Sequence, residues 1–160
     1  MRILGFILLL AALVQNAAAE CVATTDEIEQ MAARMVRLTG PGDQHVEFEV
    51  HVADTGRERA AGFQHVCPEI AETVSILFLF ATAAIPRFHM NNVYMPLDIA
   101  FIGHDGVIHS IQTMQPYVIG AVEKKLWSPP VPVVAALETR AGLFEELGIS
   151  ANEWSLSLLR

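Results

Sequence analysis

The feature that most constrains the fold is a short segment, Leu97–Ile102, in which both sets of alternating positions are apolar except for Asp98. This pattern is typical of a strand that is covered on both faces. Asp105-Gly106 then provides a tight hairpin turn, and residues 107–114 resume as the partner strand. A carboxyl group at position 98 must be hydrogen-bonded, paired or protonated, because an unpaired buried charge is strongly unfavourable. The segment therefore predicts a buried strand of the hydrophobic core that also contributes to a cluster of polar side chains.

The first nineteen residues have the organisation of a secretory signal peptide. Met1-Arg2 is a charged start, Ile3–Val14 is an apolar run too short to span a bilayer comfortably, and Ala17–Ala19 provides a small-residue cleavage site. We expect cleavage after Ala19, and hence a periplasmic or secreted protein. Two alternatives stay open: an uncleaved N-terminal anchor, and a lipid anchor on Cys21, before which Glu20 replaces the small residue that lipid attachment favours.

The remaining residues, 20–160, have the length of a single domain. Removing nineteen of the 160 residues leaves 141, enough for a hydrophobic core. The full chain has a formal net charge of −8, and the loss of Arg2 makes it −9. An acidic domain repels phosphate backbones and anionic lipids, so the charge disfavours nucleic-acid and peripheral membrane partners. No second apolar run reaches transmembrane length, so we expect no stable membrane insertion, while the oligomeric state stays open.

Two cysteines, Cys21 and Cys67, remain after the expected cleavage. A pair of cysteines in an exported chain indicates a disulfide rather than a metal clip. The bridge would hold the N-terminal segment against the loop that follows the first predicted helix, and would stabilise the fold by roughly 3–4 kcal/mol. The alternative is two separate thiols.

Strand patterns outnumber helix patterns along the chain. The cleanest strand is Val46–Val52, in which apolar and polar residues alternate. Thr55 and Glu58 have the spacing of a capping box at the start of a short helix that ends near Gly62, and a second short helix is expected over Thr139–Leu147. Further strands are expected at 35–38, 75–80, 88–90, 97–102, 107–114, 133–137 and 154–158. The sequence therefore predicts an α+β, mostly β, domain: a compact, antiparallel-rich sandwich or barrel with two short helices.

A series of local motifs lies between residues 46 and 149: VxVADT at 50–55, ERAxGF at 58–63, LFxF at 77–80, FxMxN at 88–92, PLDIAF at 96–101, LE at 137–138, AG at 141–142 and LGI at 147–149. Together they resemble the domain of unknown function 192 (DUF192) family. The resemblance implies a compact, mostly β fold, often behind a signal peptide, and it implies no established activity. His65, His89 and Asn91 stand where that family usually has Arg, Trp and Lys.

Five polar residues are candidates for one converging site: His89, Asn91, Asn92, Asp98 and Glu138. Imidazole, amide and carboxyl groups around an aromatic residue suit a hydroxyl-rich ligand, because each polar group fixes its orientation. Asn92 and Asp98 have an alternative role, in which they only hold backbone amides at a bulge and a strand entry. Trp127, in the aperiodic loop 115–132, either stacks on a sugar ring or covers an apolar edge.

The sequence predicts neither a metal site nor another cofactor. His104 and His109 flank the hairpin turn, but no three potential ligands have a recognisable metal-site spacing. A G-x-S-x-G motif is absent, and Cys67 precedes a proline as a disulfide partner would, rather than as an activated thiol.

These patterns favour an exported β-domain that binds a small polar ligand, such as a carbohydrate, through segment 88–98 and Glu138. Two alternatives stay open. The first is a periplasmic hydrolase that uses Asp98 and Glu138 as acid and base, which requires the two carboxyl groups to lie within about 10 Å of each other. The second is a structural or assembly protein of the cell envelope that uses the loop around Trp127 as its contact surface.

Overall fold

The computed structural model describes residues 21–118 and 120–159, and the expected signal peptide and its cleavage site lie outside these ranges. A seven-stranded sheet forms most of the described domain. Its strands are β1 Ala32–Thr39, β2 His45–Ala53, β3 Ile76–Ala84, β4 Leu97–Ile102, β5 Ile108–Met114, β6 Val133–Arg140 and β7 Ser155–Leu158. The described residues also form the short helices α1 Asp26–Gln30, α2 Gly56–Ala61 and α3 Leu143–Glu146, with 3-10 turns at Pro41–Asp43 and Pro68–Glu72.

The sheet closes towards a barrel. Its strand order is β5-β4-β6-β3-β2-β1-β7, and each neighbouring pair is antiparallel except the parallel pair β2 and β3. The two outer strands meet at one end, where Ile108 N donates to Trp154 O at 2.9 Å and Leu156 N donates to Gly106 O at 2.8 Å. Pairing the outer strands removes part of the exposed sheet edge. The predicted β-rich α+β class is confirmed.

Strand β4 is buried on both faces, as its sequence predicts. All six of its residues are buried. Leu97, Ile99 and Phe101 pack in one hydrophobic cluster, together with Phe78 and Trp127. The alternate residues of the strand contribute to a second cluster, whose larger members are Leu38, Phe144 and Trp154. Strand β4 therefore separates two cores, and the position of a side chain in the alternation along the strand decides which core it enters.

Helix α2 begins and ends as its sequence predicts. Thr55 Oγ1 accepts from Glu58 N at 3.2 Å, and Glu58 Oε2 accepts from Thr55 N at 2.9 Å, which completes the capping box. The helix ends at Gly62, whose φ of +49° few other residues adopt. Within the described ranges no helix has the length and apolar character needed to cross a bilayer.

Two details of the predicted helices are wrong. The helix expected from Thr139 begins only at Leu143, because Thr139 is fully buried within β6 and pairs with Asp98 across β4. The described residues also contain one more short helix than the two expected, Asp26–Gln30, with Thr25 as its N-cap.

The predicted disulfide between Cys21 and Cys67 is confirmed. Two backbone hydrogen bonds flank it, from Val22 N to His65 O and from Cys67 N to Val22 O, both at 2.9 Å. His65 N in turn donates to Asn92 O at 2.7 Å. The N-terminal segment is thereby joined to the turn that precedes β4.

Candidate functional site

A cavity of about 320 Å³ lies between helix α2, strands β3 and β6, and the segment 86–89. We call it the Glu138 cavity. Its walls combine four aromatic rings with five polar or charged side chains. The rings belong to Phe63, Phe78, Phe80 and Phe88, and the polar side chains to Arg59, Gln64, Arg87, His89 and Glu138.

The register of β3 against β6 places Glu138 in this cavity. Phe78 and Phe80 are two residues apart on β3 and therefore share a face. On β6, Ala136 pairs with Phe78, and Glu138 pairs with Ile76. Because directly opposite residues of paired strands project to the same face of the sheet, Glu138 joins the two phenylalanines. A carboxyl group thus enters an otherwise apolar surface.

Glu138 is buried without a protein partner. Its side chain belongs to a residue that is only 5% exposed, and in the described part of the chain its carboxyl group makes no hydrogen bond or ion pair. Burial disfavours the charged form and raises its pKa to about 8. The carboxyl group is therefore mostly protonated at neutral pH, and can both donate and accept a hydrogen bond.

Gly62 supplies the wall of the cavity opposite Glu138. A Cβ at this position would lie 3.5 Å from Cζ of Phe78 and 3.8 Å from Oε2 of Glu138. A side chain there would fill space next to the carboxyl group, and the φ of +49° would strain it. The residue that ends helix α2 therefore also leaves Glu138 accessible.

Two of the aromatic walls form a corner. The rings of Phe78 and Phe88 have centroids 5.2 Å apart and are nearly perpendicular, at 87°. Phe88 also packs edge-on against Phe101 of β4, with centroids 5.7 Å apart. Each ring is held by a neighbour, so the corner is preorganised.

Two arginines and a histidine occupy the wall and the mouth of the cavity. Arg59 is half-buried, and its guanidinium donates to Asp54 O at 2.5 Å and to Leu79 O at 3.0 Å. Arg87 is exposed and has no ion pair among the described residues. His89 is exposed, and its Nδ1 accepts from Asn91 N at 3.4 Å. Two guanidinium groups thus share the lining of the cavity with Glu138, without an ion pair to it among the described residues.

The structure brings some of the predicted site residues together. His89 and Glu138 line the same cavity. Asn92 lies beside it, with Nδ2 3.5 Å from the Oε1 of Gln64 and 3.2 Å from Nε2 of His65. Asn91 lies further out, where its Oδ1 accepts from Lys124 Nζ at 2.7 Å. The segment around residue 90 is therefore part of the site, and the partly exposed Asn91 ties it to the neighbouring loop.

Trp127 takes the covering role rather than the stacking one. It is 4% exposed, and its ring lies 6.2 Å from that of Tyr117, nearly parallel to it. Its backbone exchanges two hydrogen bonds with Phe88, at 2.8 and 3.0 Å, where a strand was predicted and a single bridge is found. Trp127 thus holds the loop 115–132 against the wall of the cavity without presenting its ring to a ligand.

Asp98 does not join Glu138, which corrects the predicted convergence. Asp98 pairs with Thr139 across β4 and β6, whereas Glu138 pairs with Ile99, so the two carboxyl groups lie on opposite faces of the sheet. Asp98 accepts from Thr113 Oγ1 at 2.7 Å and from Gly142 N at 2.8 Å. The acid–base pair required for the hydrolase hypothesis therefore does not share a site.

The sequence analysis missed most of the walls of the cavity. Phe78 and Phe80 lie in a segment that reads as a buried strand, and Arg87 lies between the predicted strands 75–80 and 88–90 with no role indicated by its surroundings. Gly62 was interpreted as a helix end alone. The alternation of β3 shows that its two phenylalanines share a face, but the pairing of β3 with β6 joins segments distant in sequence.

The described residues hold no group of three or more His, Cys, Asp or Glu side chains close enough to bind a metal ion. The chemistry available in the Glu138 cavity is therefore that of a protonated or ionised carboxyl group, two guanidinium groups, an imidazole, an amide and aromatic faces.

The model of the DUF192 family, described as "Uncharacterized ACR", matches residues 37–153. A crystal structure from Sinorhizobium meliloti 1021, provisionally described as a transcription regulator, is 27% identical with a TM-score of 0.70, and the match covers 80% of this chain and 95% of that one. The crystal structure of a protein of unknown function from Novosphingobium aromaticivorans DSM 12444 is also 27% identical with a TM-score of 0.70, and the match covers 88% of this chain and 96% of that one. Among curated proteins, none matches the chain.

Proposed function

The chain belongs to the DUF192 family, and since that family name implies no activity, we propose from the site itself that the protein binds a small polar ligand in the Glu138 cavity. The observation that carries this proposal is the carboxyl group of Glu138, which is buried among phenylalanines without a protein partner. Its oxygens are open to the cavity, because the described buried side-chain atoms without a partner are Ser110 Oγ and Trp127 Nε1, and the burial of the residue costs the carboxyl group part of its hydration. A ligand that hydrogen-bonds to Glu138 would offset this loss.

The shape of the cavity supports the proposal. About 320 Å³ is at the lower end of the range found for small-molecule sites, which combine apolar walls with a few polar groups. The faces of Phe78 and Phe88 would contact an apolar part of the ligand, and Glu138 would orient it. A carbohydrate is one such ligand, since a sugar ring has an apolar face and hydroxyl groups at its edge.

Binding is tested by nuclear magnetic resonance, with the purified chain titrated against a library of sugars, amino acids and small organic ions. We expect at least one class to shift the signals of Phe78 and Phe88, and Glu138→Gln to weaken its binding. Glu49→Gln, which changes an exposed glutamate on β2, is the matched control and should bind as the original chain does. A library that moves no cavity signal would refute the proposal.

We also propose that the chain is exported. Support comes from the signal-peptide pattern before Glu20 and from the disulfide between Cys21 and Cys67, because disulfides persist in oxidising compartments. The intact mass of the protein from a periplasmic extract should correspond to a chain that begins at Glu20. A full-length chain found only in the cytoplasmic fraction would contradict export.

A second candidate function is contact with another protein of the cell envelope. The loop 115–132 exposes large apolar side chains, and Val118 and Val122 are 78% and 98% exposed. A pull-down with Val122→Ser against the original chain tests this candidate, and identical partner sets would argue against it. Regulation of transcription, the provisional description of the Sinorhizobium meliloti structure, is opposed here by the net charge of −8.

A further inference from the structure

We propose that the ligand of the Glu138 cavity is a zwitterion, with an alkylated ammonium group among the phenylalanine rings beside Glu138 and an acidic group at Arg87. This inference rests on the proposed function and names the chemical class of the ligand. It depends on how polarity changes with depth in the cavity, which the burial of the lining residues shows.

The deep part of the cavity suits an alkylated cation. Its buried lining residues with an aromatic ring or a carboxyl group are Phe63, Phe78 and Glu138. The ring of Phe88 is nearly perpendicular to that of Phe78. Aromatic faces attract cations, and cages of such rings are the usual site for methylated ammonium groups. In the described lining, Glu138 is the buried side chain with hydrogen-bonding capacity, so a sugar placed there would leave most of its hydroxyl groups unsatisfied.

The outer part of the cavity suits an acid. Arg87 is exposed and has no ion pair among the described residues, and Arg59 lies on the adjoining wall. A ligand that carried only a positive charge would be repelled by these two groups on its way in. A carboxylate or another acidic group on the same ligand would instead pair with the Arg87 guanidinium, which binds carboxylates in a forked geometry.

Binding of the ammonium group would release a proton. Glu138 attracts a cation fully only when it is ionised, and burial raises its pKa to about 8. The charged and titratable groups that share the cavity are Arg59 on α2 and Arg87 and His89 on the segment 86–89. Below pH 8 the ionised fraction of Glu138 rises about tenfold per pH unit, so the affinity should rise by about the same factor. If Glu138 is the source of this pH dependence, the affinity of the His89→Gln variant should rise with pH by the same factor.

Four probes separate the parts of this proposal when titrated into the full chain and observed at Phe78 and Phe88. Glycine betaine carries both charges. 3,3-Dimethylbutanoate has the same shape and acid but no positive charge, choline keeps the cation without the acid, and glucose is a neutral sugar. We expect glycine betaine to bind about tenfold more tightly than the two singly charged probes, with an affinity that rises from pH 6 to pH 8.

Each result decides the matter. Equal affinity for 3,3-dimethylbutanoate would overturn the role of the cation, and equal affinity for choline would overturn the role of Arg87. If glucose or another neutral probe binds while glycine betaine does not, the zwitterion is wrong and the proposed function stands. If no small molecule of any class reaches the cavity, both are wrong. Arg87→Gln, which changes an exposed residue, should lower the affinity for glycine betaine and leave that for choline unchanged or higher.

Discussion

At the scale of single residues, the central feature is Glu138, whose carboxyl group has no hydrogen-bonding or ionic partner among residues 21–118 and 120–159. The neighbours of Glu138 in the cavity include the ring of Phe78 and Gly62, and neither has a side-chain group that could hydrogen-bond to the carboxyl group in place of water. Its pKa, raised to about 8 by burial, means that the folded protein holds a proton there which the unfolded chain has already lost at neutral pH. This difference makes the residue measurable without any ligand.

The first prediction concerns pH and Glu138→Gln. Between about pH 4.5 and pH 8 the folded state binds the more protons, so the free energy of unfolding of the original chain should fall as pH rises, by on the order of 4 kcal/mol at most. The glutamine variant lacks this term. The difference in unfolding free energy, variant minus original, should therefore increase steadily from pH 5 to pH 8 in urea titrations. Other titrating groups are common to both chains and cancel, and a constant difference would contradict the burial of an acid.

The second prediction concerns Gly62→Ala. An alanine at this position would have to adopt a φ of +49°, which strains any residue with a Cβ, while its 3.5 Å contact with the Phe78 ring is ordinary, so we expect a loss of roughly 1–3 kcal/mol in unfolding free energy from the backbone strain. Gly56→Ala is the control: a Cβ there meets nothing within 4 Å, at the start of helix α2, and should be neutral or stabilise by about 0.5 kcal/mol. Equal stability of the two variants in thermal unfolding would show that the strained turn is not needed.

At the scale of elements, strand β6 places Glu138 in the cavity and Thr139, with its partner Asp98, on the opposite face of the sheet. Glu138 and Thr139 are neighbours in the chain but enter different cores, because a strand alternates its faces. Asp98 of β4 pairs with Thr139 and therefore projects to the same face as Thr139. It contacts Thr113 and Gly142 on that face and does not line the Glu138 cavity. The sequence could show that Asp98 is buried. It could not show the register that decides which residues accompany it, since register joins strands that are distant in sequence.

The third prediction tests this separation through Asp98→Asn. The carboxylate accepts two hydrogen bonds, from Thr113 Oγ1 and from Gly142 N, and an amide has one oxygen to offer. We expect the unfolding free energy to fall by about 1–3 kcal/mol. Ligand affinity at the Glu138 cavity should be unchanged. Glu145→Gln, an exposed change on α3, is the control for surface charge, and a loss of ligand binding in Asp98→Asn would restore the shared site.

At the scale of the whole molecule, the sequence predicts most of the secondary structure and the disulfide, but not the contact between β5 and β7 that brings the two outer strands of the sheet together. Alternation predicted the strands, the Thr55–Glu58 spacing predicted helix α2, and the pair of cysteines that follows the signal-peptide pattern predicted the disulfide. The meeting of β5 with β7 joins residue 108 to residue 154 and leaves no local signal. The same reason hid the Glu138 cavity, whose walls come from separate parts of the chain between residues 59 and 138.

The fourth prediction concerns the disulfide. Cys21 and Cys67 are 46 positions apart, so the loop entropy that their bridge removes from the unfolded chain corresponds to about 4 kcal/mol. The double variant Cys21→Ala, Cys67→Ala should lose a comparable amount in chemical denaturation, and the original chain under reducing conditions should lose the same. If reduction leaves the unfolding midpoint where it was, the bridge contributes nothing to the stability of the domain.

The central claim is that Glu138 keeps its proton in the ligand-free protein and takes its hydrogen-bonding partner from a ligand. The most direct measurement is a carbon-13 titration of the Glu138 carboxyl group, free and with saturating glycine betaine. We expect a pKa of about 8 in the free protein and a clear fall when the ammonium group binds beside it. A pKa near the ordinary glutamate value in the free protein, or one that bound ligand leaves unchanged, would contradict the account.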